Sequence, residues 1–156
     1  MRRIVVFLTL CALAAPLAAF AGPRVLGDGT LAVRDLNGFL SVRAKGGVVG
    51  RCDRCILRID ELRDDSPIDP RVFGAKALDP DGDGEIDRYR VRDGRWRIIG
   101  GTFLVRVSSA VDADVSLVGR GTASIRGTAG TYSVNGGDFL DVPTETTQIP
   151  LRAASP

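Results

Sequence analysis

Over most of the chain, short segments carry an apolar residue at every second position. Leu31 and Val33, Leu40 and Val42, Leu57 and Ile59, then Phe103, Val105 and Val107 keep this period, as do Val115 and Leu117, Ala123 and Ile125, and Tyr132 and Val134. The positions between them are mostly polar, among them Arg34, Ser41, Arg58, Arg106, Ser124 and Arg126. Side chains of a strand alternate between its two faces, so the pattern predicts antiparallel strands that cover a core on one side and meet water on the other. Glycine pairs at Gly46-Gly47, Gly100-Gly101 and Gly136-Gly137, together with Asn37-Gly38, punctuate the segments where turns need positive φ. Strands this short with turns this frequent predict an all-β fold, a β-sandwich or small barrel. The alternative is a β-solenoid, because the phrases GTLAVRD, GTFLVRV, GTASIRG and GTYSVNG recur. Their spacing is irregular, whereas a solenoid keeps its coil length nearly constant.

The first 21 residues read as a signal peptide. Arg2 and Arg3 precede an apolar run from Ile4 to Ala15, and Ala19-Phe20-Ala21 is a small-x-small site before Gly22. Pro16 interrupts that run short of the roughly 20 apolar residues a membrane span needs. The expected location is therefore secreted, extracellular or in the cell envelope. A lipoprotein reading of Cys11 fails on the bulky Leu10 before it. The expected organisation is a single β domain over 22–142 with an acidic loop at 60–87, then a C-terminal strand or tail over 143–156.

Composition then narrows the chemistry. The chain of 156 residues has 21 Lys and Arg, 19 Asp and Glu, and no His, which excludes Ser-His-Asp and Cys-His nucleophile pairs and His-ligated zinc. Loss of the leader with its two arginines leaves 135 residues and 19 charges of each sign. A neutral mature chain gives no net attraction to nucleic acid or anionic lipid. The charge is nonetheless segregated. Ten acidic residues against Arg63, Arg71 and Lys76 give the stretch from Asp60 to Asp87 a balance of −7, and the rest of the mature chain +7. Pro67, Pro70 and Pro80 mark that stretch as a long loop.

Inside it lies the one motif with specific chemistry, Asp79-Pro80-Asp81-Gly82-Asp83-Gly84-Glu85-Ile86-Asp87. Alternate carboxylates on a curved backbone converge on one point, as the six to eight oxygens around calcium require, and Gly84 permits the curve. The stretch resembles the calcium loop of EF-hand and dockerin proteins. That resemblance implies side-chain ligation by Asp79, Asp81 and Asp83, carbonyl ligation by Glu85, and Asp87 directly or through water. The twelfth loop position, which supplies a carboxylate in those families, is Arg90, so the resemblance implies a weak site unless Asp64, Asp65 or Asp69 folds back.

Three further features carry candidate chemistry. Cys52 and Cys55 suit a local disulfide, which requires a tight turn at Asp53-Arg54 and adds no more than about 2 kcal/mol in the chain-entropy model. The run RYRVRDGRWRII predicts a hairpin with Asp93-Gly94 as its turn, placing Arg88, Arg90, Arg92, Arg95 and Arg97 on one face opposite Tyr89, Val91, Trp96 and Ile98. Like charges opposite one another need anions, supplied either by the acidic loop folding over them or by an external anionic polymer, glycan or phosphate. Asp112 and Asp114, on one face of a strand, could form a carboxylate pair for glycoside hydrolysis, although a charged strand edge accounts for them more simply.

The GDGTL opening at Gly27 to Leu31 and the meander from Val118 to Thr122 and Gly130 to Gly137 resemble small secreted bacterial all-β proteins with no assigned activity. That resemblance implies a fold and no function. The sequence is thus read as a secreted, non-enzymatic β-protein with a calcium-stabilised loop. A binding module for an anionic cell-surface polymer is the first alternative, and a carboxylate-based hydrolase the second. No nucleic-acid partner is expected, and no membrane partner after leader cleavage. The calcium reading has a direct consequence: calcium at millimolar concentration raises the melting temperature, since binding to the native state alone adds about 1.4 kcal/mol at ten times Kd. Asp81→Ala with Asp83→Ala abolishes the shift, and identical melting in calcium and in chelator would remove the site.

Overall fold

The computed structural model describes residues 27–78 and 88–153. The leader and the stretch from Asp79 to Asp87 therefore lie outside the described residues. The described residues form six strands and no helix: β1 (Gly29–Glu61), β2 (Ile68–Leu78), β3 (Arg88–Ile99), β4 (Thr102–Val134), β5 (Leu140–Asp141) and β6 (Thr147–Leu151). All belong to one open antiparallel sheet in the order β2-β3-β1-β4-β5, with β6 also paired to β4. The all-β class is as the alternation implies. The acidic loop expected over 60–87 is in part strand, because Ile68 to Leu78 pair with β3.

The two long strands determine the shape. β1 and β4, each 33 residues, form an antiparallel ribbon from Leu31 opposite Val134 to Glu61 opposite Phe103. The same strands pair a second time, with Gly29 opposite Gly119 and Lys45 opposite Thr102. A strand residue has one neighbour on each edge, and Gly119 has both Gly29 and Gly46. Those two glycines therefore lie about 10 Å apart, two strand spacings, although the 17 residues from 29 to 46 would extend some 56 Å. The ribbon must coil, laying its second half beside its first. Lys45 and Leu62 flank Thr102 with the same advance of 17 residues, so the coil length is constant.

Coiling needs places to bend. Asp35, Asp93, Ser109 and Asp112 have φ near +50°, a region that Asp and Asn tolerate better than most side chains. The pairings of Leu36 with Ala113, and of Arg54 with both Val111 and Arg92, put these bends on one line across the sheet. Along that crease two successive side chains face outward, as at Arg34-Asp35, Asp53-Arg54 and Arg92-Asp93, with buried residues on either side. A second crease holds Gly46, Gly119 and Gly121, where a Cβ would strike the backbone of the adjacent strand.

Between the creases the inward residues form one core. Leu36, Leu40, Val42, Leu57, Val91 and Val107 are wholly inaccessible, and Trp96, Phe103 and Ile98 join them. Burial of each large apolar side chain contributes about 1.5–3 kcal/mol. Ile149 and Leu151 of β6 close one end of this core, and there the Ala153 N–H donates to the Gly27 carbonyl at 3.1 Å. Gly50 lies under the Trp96 indole, whose ring occupies the space a methyl group would need. Gly50→Ala is accordingly expected to lower stability by about 1–3 kcal/mol through overpacking, read as a reduced urea midpoint at unchanged slope. A wild-type midpoint would show that the ring is not seated on the backbone.

Candidate functional site

The crease rearranges two of the expected local features. Asp93-Gly94 is no hairpin turn: β3 runs unbroken alongside β1, from Ile98 opposite Val48 to Arg88 opposite Arg58. Asp93 supplies the positive φ of a crease, and Arg92 therefore faces Arg54 rather than Arg95. Likewise Cys52 and Cys55 belong to one continuous strand and do not join two. Their sulfurs lie at bonding distance, with Cα atoms 6.3 Å apart. Because Asp53 and Arg54 both point outward, residues i and i+3 both point into the core, which plain alternation forbids.

The five arginines of β3 fall on two slopes of the crease. On one, Arg88, Arg90 and Arg92 take alternate positions along the strand, about 7 Å apart by strand geometry. Their row neighbours enlarge the field. Arg106 of β4 faces Arg58 of β1, which faces Arg88, so three guanidinium groups stand on three adjacent strands. Arg54 faces Arg92, and Lys76 of β2 faces Arg90. On the other slope Arg51 faces Arg95, and Arg97 faces Arg71.

Few described acids answer this charge. Asp60 accepts a 2.8 Å hydrogen bond from Arg58 Nε, and Asp114 a 2.7 Å bond from Arg51 Nε. The hydrogen bond from Arg51 to Asp114, and then the carboxylate's charge, hold the Arg51 guanidinium still more firmly protonated than usual. Among the described residues, Arg88, Arg90, Arg92, Arg95 and Arg97 make no ion pair, although Arg95 lies over the Phe73 ring at 5.3 Å from its centroid. The described part of the acidic stretch does not cover them. β2 extends the sheet beside β3, and Asp65 is engaged by Thr102 and Lys45 instead.

Asp65 takes a 2.6 Å hydrogen bond from Thr102 N, a 2.9 Å bond from the Thr102 hydroxyl, and a 3.2 Å contact from Lys45 Nζ. It fastens the β1–β2 connection. Asp79, Asp81, Asp83, Glu85 and Asp87 lie outside the described residues, among which no group of three or more metal-binding side chains occurs. The two acids of the candidate hydrolase pair have different surroundings. Asp114 holds Arg51 and accepts from Asp35 N at 3.0 Å, whereas Asp112 sits on the crease with φ 48°.

The alternation could not disclose a groove of about 480 Å³ at the crease, lined by Arg51, Cys52 and Asp53 of β1, Phe73 and Gly74 of β2, and Asp93 to Arg95 of β3. Three strands separated in sequence build it, and only their register brings them together. The addition of Arg54, Arg58 and Arg106 to the basic field depends on the same registers, though Arg58 and Arg106 already stand at outward positions of the pattern.

Comparison with family models, with curated proteins and with solved structures finds no match. Among the described residues no helix is long and apolar enough to cross a membrane.

Asp65 gives the β1–β2 connection a pH signature. Its hydrogen bond from the Thr102 hydroxyl, foremost, holds its carboxyl below the ordinary value of 3.8. A carboxylate depressed in the folded state stabilises fully above that value, and the contribution is lost as pH falls through the lower, folded one. Asp65→Asn should therefore destabilise the protein at pH 7, with the difference from wild type fading below pH 3.8 in denaturation series. A difference independent of pH would place the role of Asp65 elsewhere.

Proposed function

We propose that the protein is a secreted, non-catalytic binding module whose arginine slope holds an anionic cell-surface polymer. One observation carries this reading: Arg106, Arg58 and Arg88 stand side by side on neighbouring strands, with Asp60 bonded to Arg58. Strand spacing puts successive rows about 5 Å apart, and Arg88, Arg90 and Arg92 repeat at about 7 Å along β3. This two-dimensional array of exposed and half-buried cations suits a chain of regularly spaced anions. Like charges directly opposite destabilise by some tenths of a kcal/mol per pair, and a bound polyanion offsets that repulsion. In the same reading calcium at Asp79 to Asp87 stabilises the link from β2 to β3 and takes no part in binding.

Stability and binding should then move in opposite directions. Arg88→Ser with Arg106→Ser is expected to weaken retention on a sulfated or phosphate matrix about tenfold, as two exposed ionic contacts at up to about 1 kcal/mol each allow. The same variant should melt no lower than wild type without ligand, and its retention should vanish in high salt. A wild-type protein that passes through both matrices at low salt would overturn the proposal.

A further inference from the structure

The groove at the crease differs from the arginine slope in kind, because it mixes both charges with an aromatic surface. Arg51 is oriented by its bond to Asp114, and Arg95 by stacking on Phe73. Both planar groups are thus set in place before any ligand arrives. Asp53 and Asp93 flank the same space, and no hydrogen bond or ion pair engages either carboxylate among the described residues. Phe73, 47% exposed, forms one wall. The floor is bare because it is made of glycine: Gly74 has φ 68°, and a Cβ on Gly94 would meet the Val91 side chain and the Phe73 carbonyl. The volume, about 480 Å³, falls within the usual range for small-ligand sites.

A pure anion site would not place two carboxylates beside its cations, and a cation site would not place two guanidinium groups beside its acids. The occupant must donate hydrogen bonds to Asp53 and Asp93, offer a carboxylate to the planar donors of Arg51 and Arg95, and lay an apolar surface on Phe73. A sugar ring bearing a carboxylate has all three: hydroxyl donors, an anionic group and a C–H face. We infer that the crease groove binds one hexuronate unit of an acidic polysaccharide, the polymer whose neighbouring anions lie on the arginine slope. This inference rests on the proposed polymer binding and assigns its chemical class.

The decisive variant is Asp53→Asn with Asp93→Asn, because charge and recognition predict opposite signs. If only charge matters, removal of two carboxylates strengthens binding of any polyanion. If the groove holds a uronate through its hydroxyls, the variant binds polygalacturonate at least tenfold more weakly, while its retention by inorganic polyphosphate is unchanged or stronger. Phe73→Ala should share the first effect, and Arg88→Ser with Arg106→Ser should weaken both polymers. Monomeric galacturonate should shift the backbone amide resonances of Asp53, Gly74 and Gly94 in the wild type. Polyphosphate retention with no galacturonate shifts would overturn the groove and leave the polymer reading standing. Galacturonate shifts with neither polymer retained would do the reverse. Equal or tighter polygalacturonate binding by the double variant would also overturn the inference.

Discussion

Gly119 sits between Gly29 on one edge and Gly46 on the other, and that double pairing fixes the rest of the architecture. It obliges β1 to return on itself within 17 residues, and a strand can return only where its backbone bends. The bends are placed at Asp35, Asp93, Ser109 and Asp112 on one line and at glycines on another. Where the strand bends, two neighbouring side chains must both face water. The outward pairs Asp53-Arg54 and Arg92-Asp93 are therefore consequences of that bend, and so is the groove between them.

The same geometry explains how the disulfide fits. A bridge between residues three apart is incompatible with regular alternation, but it spans the two outward positions of a crease without difficulty. Cys52 and Cys55 are both buried, so the bridge is part of the core as well as a local clamp. It fixes the bend in β1 beneath the place where Arg51 and Asp53 line the groove. Sequence, fold and site are joined there in four residues.

Fold class was legible because it depends on a local quantity, the alternation of apolar and polar side chains. Leu40 and Val42, or Val105 and Val107, report their face whatever they pair with. Pairing is not local, and the reading failed where it had to be guessed. Asp93-Gly94 carries the positive φ of a hairpin turn, yet the same φ serves a crease when the strand continues along a partner. The five arginines were correctly placed outward, but their neighbours Arg54, Arg58 and Arg106 emerge only from the registers of β1, β3 and β4. Asp53, Phe73 and Asp93 come from three strands, so no motif in the sequence could have joined them.

The hydrogen bond from Ala153 to Gly27 makes the described chain a nearly closed circuit. Its two ends meet beside β6, so the connectivity of the fold is close to that of a ring with one cut. The position of the cut is then incidental to the pairing scheme. A short linker between those ends, with new termini opened in the exposed stretch from Leu62 to Asp65, would leave every strand ladder intact. What specifies this protein is the cyclic order in which its strands meet, and the order in which they are synthesised is a separate matter.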